Sequence, residues 1–126
     1  MYLIDTHAYL WFLNDDPRLP ARVKEIIEKE EGLCISIATF WEMAIKSNLK
    51  KLTLPASIPD LMADCDEYKI SILSIAAAHL DCVERMPNFH GDPFDRLILS
   101  QALIENMTIL STDEKFDQYG VRTLWK

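Results

Sequence analysis

Asp92-Pro93-Phe94-Asp95-Arg96-Leu97-Ile98-Leu99-Ser100-Gln101-Ala102-Leu103-Ile104-Glu105-Asn106, followed at once by Met107-Thr108-Ile109-Leu110-Ser111-Thr112-Asp113, is the stretch that decides the fold. Residues 92–106 read as a strongly apolar helix, with Asp92 at the N-cap, Pro93 in the first helical position and Asp95 in the third. Residues 107–110 form an apolar run too short for a helix and read as a buried strand. The chain then passes through Asp113 into another short helix, Thr112 to Tyr119. A helix entering a strand, which opens into a helix again, is an α/β alternation.

The alternation continues outward. Met1 to Ile4 reads as a strand, and Asp5-Thr6 turns into a helix, Ala8 to Leu13, closed by Asn14-Asp15-Asp16-Pro17. Pro20 to Glu30 carries Val23, Ile26 and Ile27 at helical spacing, and Gly32 stops it before a second strand, Leu33-Cys34-Ile35. Ser36 to Leu49 reads as a helix with Phe40, Trp41, Ala44 and Ile45 as its buried side. Leu52 to Pro59 is a loop, Pro59 to Glu67 a short helix, Tyr68 to Ile72 a third strand and Leu73 to Met86 a helix. Residues 87–91 form a turn-rich connection, and Val121 to Trp125 an edge strand. Apolar runs in place of alternating patterns predict a parallel sheet of four or five strands covered on both faces. Right-handed crossovers bring the carboxyl ends of such strands to one edge, where ligands bind at the reversal of strand order. With 126 residues, 49% of them hydrophobic, and three Gly, a single domain over 1–126 is expected.

Composition narrows the function. No apolar run approaches the roughly 20 residues needed to span a bilayer. The start, Met1-Tyr2-Leu3-Ile4-Asp5, lacks the basic segment of a secretory signal, so a cytoplasmic location is expected. Cys34, Cys65 and Cys82 form no C-x-x-C pair, and His7, His79 and His90 have no zinc-ligand spacing. The net charge of -7, from 20 acids and 13 bases, opposes a broad basic surface for nucleic acid. Setting four acids aside against bound metal still leaves acids in excess, so contact with a polyanion should be local and metal-dependent.

Asp5, Glu42, Asp95 and Asp113 stand at or near helix starts, where acids also serve as caps. Asp92 and Asp95 fit such roles, and Thr39-Phe40-Trp41-Glu42 matches a capping box placed one turn late. Asp5 is harder to explain as a cap, since Ser or Thr would serve as well, and Asp113 has no necessary capping duty. Four acids from four segments also supply the oxygen ligands that a hard divalent cation takes.

Tyr2-Leu3-Ile4-Asp5-Thr6-His7 with Leu10-Trp11, then Ser36-Ile37-Ala38-Thr39-Phe40-Trp41-Glu42-Met43-Ala44-Ile45-Lys46 and Lys50-Lys51-Leu52-Thr53-Leu54-Pro55, closely resemble the opening of VapC-type PIN-domain toxins. Asp92-Pro93-Phe94-Asp95-Arg96-Leu97-Ile98, Ala102 and Ser111-Thr112-Asp113 complete the resemblance, which runs from about residue 2 to 125. It implies a PIN-like three-layer α/β/α fold and a metal-dependent endoribonuclease that cuts single-stranded regions of RNA as the toxin of a toxin–antitoxin pair. Asp5, Glu42, Asp95 and Asp113 match the acids that bind Mg2+ or Mn2+, with Asp92 nearby; Asp95 is preferred to Asp92 because it directly precedes the apolar helix run. Thr6, Thr112, Lys46 and Arg96 are the polar and basic neighbours placed to meet substrate. His90 lies in a loop that a turn could bring to the site. Trp11, Phe12, Phe40, Trp41 and Phe94 read as core before base-stacking platforms.

The resemblance further implies water as nucleophile, attacking in line with a leaving 3′-oxygen, with no Ser, His or Cys nucleophile. It implies an antitoxin whose tail covers the acidic crevice, often through Arg, and a homodimer. Two other readings stand beside it. A PIN-fold RNA-binding or regulatory module would show a broken acid set, and this one is complete. A Mg-dependent phosphoryl-handling α/β protein would show an acidic pair or D-x-D after the first strand, and Asp5-Thr6-His7 offers neither.

Overall fold

The computed structural model describes residues 1–29 and 31–125. Five strands, β1 (Tyr2–Ile4), β2 (Leu33–Ser36), β3 (Ile70–Leu73), β4 (Thr108–Leu110) and β5 (Thr123–Leu124), form one sheet of order β3-β2-β1-β4-β5. Every pairing is parallel. Between the strands run α1 (Thr6–Leu13), α2 (Ala21–Lys29), α3 (Ile37–Asn48), α4 (Ile58–Glu67), α5 (Ala77–Arg85), α6 (Pro93–Glu105) and a 3-10 helix, Glu114–Tyr119. Glu30, the expected end of the second helix, and Lys126 lie outside the described residues.

Successive strand residues point to opposite faces, so a sheet with two apolar faces needs apolar residues without interruption. Leu3, Cys34 and Ile109 join Ile98, Leu99, Ala102 and Phe116 in a core on one face. Their neighbours Ile4, Leu33, Ile35 and Leu110 join Tyr9, Val23, Ile27, Phe40 and Leu61 on the other. Helices therefore cover both faces, in the three layers expected. Each fully buried aliphatic side chain contributes roughly 1.5–3 kcal/mol, and a charge at Leu3 or Ile4 would fall among apolar atoms whichever way it pointed.

Local chemistry moves several boundaries. The α1 helix starts at Thr6, two residues before the apolar pattern, because Asp5 caps it. Tyr68 caps the end of α4 and Lys69 takes a left-handed φ of 57°, so the third strand begins only at Ile70. It runs on through Leu73, and α5 waits until Ala77, where His79 Nδ1 accepts from the Ala76 N–H at 2.9 Å. The α3 helix departs furthest from expectation. Its buried residues are Ala38, Thr39, Phe40, Glu42 and Met43, whereas Trp41 is 57% exposed and Ala44 and Ile45 face outward. A carboxylate takes the inward position and turns Trp41 to the surface, where its ring meets Phe94 edge-on.

From β1 the chain builds β2 and β3 to one side, then returns to the other side with β4 and β5, so strand order reverses between β1 and β4. The crevice at their carboxyl ends is where such a sheet takes ligands. The Asp5 N–H donates to the Leu110 carbonyl at 3.2 Å, carrying the ladder one step beyond β1 and fixing Asp5 beside the end of β4.

Candidate metal centre

Asp5 follows β1 and caps α1: Oδ1 accepts from the Thr6 N–H at 2.8 Å, and Oδ2 accepts from Ser111 Oγ at 2.8 Å. Only 6% of the residue is exposed, and burial pushes its carboxyl above the usual carboxylate range, with the Ser111 hydrogen bond opposing. Asp113 stands two residues past Ser111, beyond the end of the neighbouring strand. Its N–H donates to Ser111 Oγ at 3.0 Å, and its Oδ1 caps the 3-10 helix through the Lys115 N–H at 3.0 Å. Both acids are thus helix caps as well as crevice residues, so a capping duty and a ligand's place coincide on the same side chains.

Asp92 caps α6, with Oδ1 accepting from the Phe94 N–H at 2.8 Å and the Asp95 N–H at 3.1 Å. Asp95, one turn in, faces the other acids. Burial, then the charges of Asp5, Asp92, Glu42 and Asp113, push its carboxyl up to about 8. Clustered carboxylates resist joint ionisation in this way. Glu42 reaches the cluster from the second turn of α3 and is 4% exposed. Its Oε2 accepts from Lys46 Nζ at 2.7 Å, and the pair holds the Lys46 ammonium above its usual range. Its Oε1 is buried and has no hydrogen-bond partner.

An orphaned buried carboxylate oxygen is costly unless a cation or donor meets it. The donor set, all oxygen and all acidic, fits a hard divalent ion. Asp5, Asp95 and Asp113 line one cavity with His7, Trp11 and Thr112. His7 and Trp11 also line the adjoining groove, together with Arg18, Lys46 and Lys51.

The remaining expected residues have other surroundings. The Thr6 hydroxyl is buried 3.0 Å from that of Thr39. The Arg96 guanidinium donates to the carbonyls of Val83, Pro87 and His90 and clamps the loop before α6. Thr112 is exposed at the crevice mouth. Sequence reasoning did not include Ser111, which joins the two strand-end acids, although its place directly after β4 matches that of Asp5 after β1. It placed His90 in a loop that a turn could bring to the site but gave it no role there. Its Nε2 lies 2.8 Å from Asp113 Oδ2 and 3.2 Å from Asp95 Oδ2. A turn of unknown shape separates His90 from the helix, and no spacing rule carries across it.

Fold and site define a parallel α/β protein with a carboxylate-lined crevice at the reversal of strand order. The family model for the PIN domain matches residues 2–121, and the chain belongs to that family. It is 21% identical over 113 residues to Ribonuclease VapC22 of Mycobacterium tuberculosis (strain ATCC 25618 / H37Rv), covering 90% of this chain and 87% of that protein. Among solved structures it is similar to VapBC2 from Rickettsia felis bound to a DNA fragment from its promoter, with a TM-score of 0.70, 18% identity, and 99% and 98% of the two chains covered. FitAcB from Neisseria gonorrhoeae superposes with a TM-score of 0.68 at 17% identity, over 98% of this chain and 96% of that one. At these identities the structural likeness is one of fold.

Proposed function

We propose that this chain is a divalent-metal-dependent endoribonuclease that cuts single-stranded regions of RNA and acts as the toxin of a toxin–antitoxin pair. The observation that carries the reading is Glu42 Oε1, a carboxylate oxygen buried without a partner beside acids so crowded that Asp95 is pushed up to about 8. Membership of the PIN family and the likeness to Ribonuclease VapC22 support RNA as substrate. Asp5, Glu42, Asp95 and Asp113 would hold Mg2+ or Mn2+, with Asp92 near enough to bias the site electrostatically. Such an ion supplies a Lewis acid for the phosphoryl group and makes water a stronger nucleophile.

The chain's own residues set the conditions for that chemistry. Asp5 and Asp113 are held in register by Ser111. Burial and the neighbouring acids hold a proton on Asp95 at neutral pH, which a bound cation would replace. Lys46 pairs with one oxygen of Glu42 and faces the groove where Arg18, Lys51 and Trp11 gather. That groove, with Lys51 among its cations immediately beside the crevice, supports RNA contact there on an otherwise acidic chain. The same carboxylates suit a basic antitoxin segment, and solved relatives are VapBC and FitAB complexes. We further propose a single domain, a homodimer and a cytoplasmic site of action; no helix among the described residues is long and apolar enough to cross a membrane.

The test is incubation of purified protein with structured and unstructured RNA in Mn2+ or EDTA, beside Asp5→Asn. Cleavage of the unstructured RNA that needs Mn2+ and disappears in the variant is expected. Equal cleavage by both proteins would sink the proposal.

A further inference from the structure

His90 is held on every side before any cation enters. Its backbone N–H donates to Tyr119 Oη at 2.8 Å, and its carbonyl accepts from Arg96 Nη1 at 3.1 Å. Its ring stacks on Phe116 with centroids 5.8 Å apart and planes 27° apart, and the residue is 7% exposed. The Asp92 N–H donates to Nδ1 at 3.2 Å. That last bond assigns the ring's chemistry. With its lone pair on Nδ1, the imidazole carries its hydrogen on Nε2 and donates it to Asp113 Oδ2 at 2.8 Å, while Asp95 Oδ2 lies 3.2 Å from the same nitrogen.

We propose that His90 is a positioning residue of the metal centre, whose Nε2–H holds the Asp113 carboxylate in place beside Asp95 for a divalent ion without itself ligating that ion. The inference rests on the metal-dependent reading above. His90, Asp95 and Asp113 offer ligand atoms within 4.8 Å of one another and so could be taken for a three-ligand site of their own. The hydrogen on Nε2 excludes this, because a ring nitrogen bearing hydrogen has no lone pair for a cation. The oxygen-rich neighbourhood of Asp5 and Glu42 also favours a hard ion that prefers carboxylate to imidazole. A carboxylate oxygen has two lone-pair sites, so Asp113 Oδ2 can accept from His90 and leave the carboxylate able to ligate. Carboxylate ligands held by outer hydrogen bonds are the general arrangement around bound metals, and loss of such a bond costs about 10–100-fold in affinity or activity.

The test uses the full chain labelled with 15N-histidine. Two-bond 1H–15N spectra should show the Nε2–H tautomer for His90 without metal and in saturating Mg2+. A change to the Nδ1–H tautomer on adding Mg2+ would make His90 a ligand and overturn the proposal. Calorimetric Mn2+ binding should weaken about 10-fold or more in His90→Ala and recover in part in His90→Gln, whose side-chain amide can donate from a similar place. Wild type that binds no Mn2+ would overturn the metal centre itself. Wild type that binds, with His90→Ala binding equally well, would overturn the role of His90 alone.

Discussion

Ser111 Oγ donates to Asp5 Oδ2 at 2.8 Å and accepts from the Asp113 N–H at 3.0 Å, so one hydroxyl joins the carboxyl ends of β1 and β4 across the reversal of strand order. Removing it leaves a buried carboxylate oxygen short of a donor and a backbone N–H short of an acceptor. Ser111→Ala should cost about 1–3 kcal/mol in urea unfolding without metal. Because this hydrogen bond opposes the upward push of burial on Asp5, the variant should also bind Mn2+ more weakly at neutral pH. Unchanged stability and unchanged Mn2+ affinity would show that the two strand ends do not depend on each other.

Asp95→Asn separates stability from activity. The folded Asp95 carboxyl sits at about 8, against roughly 3.9 for an unfolded chain. Between those values the native state holds a proton that the unfolded state has lost, so stability falls as pH rises through that window. Asparagine has no proton to lose. The metal-free variant should equal wild type near pH 4 and exceed it near pH 9 by on the order of 5 kcal/mol, while RNA cleavage disappears. The pH dependence of denaturant midpoints checks the first claim; parallel curves for the two proteins would refute it.

Metal should reverse that penalty. An ion bound to the native chain alone stabilises it by about 2.7 kcal/mol at a hundred times its Kd. The gain should grow as pH rises toward 8, since below that value the ion must first displace the Asp95 proton. Calorimetry at neutral pH in buffers of different ionisation enthalpy should record proton release on Mn2+ binding. Glu42→Gln should reduce the thermal stabilisation by Mn2+, because it takes a charge from the oxygen that has no other partner.

Much of this was legible in the residues. Uninterrupted apolar runs at Leu3-Ile4, Leu33-Cys34-Ile35 and Ile109-Leu110 require a sheet buried on both faces, and the two cores confirm it residue by residue. Asp5 and Asp113 could be placed because one directly follows a strand and the other stands three residues past the end of its neighbour, at the same edge. The face of α3 was misread for a physical reason. A periodicity argument counts only apolar residues, and an acid turned inward has the opposite effect, placing Glu42 inside and Trp41 outside. His90 could be named only as a loop residue that a turn can bring in, because its approach to Asp113 depends on the turn from Pro87 to Gly91, which Arg96 and Tyr119 hold in shape from distant positions in sequence.

Lys51 tests where RNA runs. It lines the groove beside the crevice with Arg18, Lys46 and Trp11. Arg18 is committed to Asp16 at 2.7 Å and lies over the Trp11 ring, and Lys46 is committed to Glu42, so Lys51 is the cation there whose change disturbs the acids least. An exposed lysine outside the core should alter stability by less than about 0.5 kcal/mol when replaced. Lys51→Glu should therefore melt like wild type, bind Mn2+ like wild type, raise KM for RNA several-fold and leave kcat nearly unchanged. A phosphate contact on single strands contributes roughly 0.7 to the slope of log affinity against log salt, so that slope should flatten by about this amount. If KM and the salt slope both stay at their wild-type values, the strand leaves the crevice by another route, and the basic groove beside Trp11 is not its path.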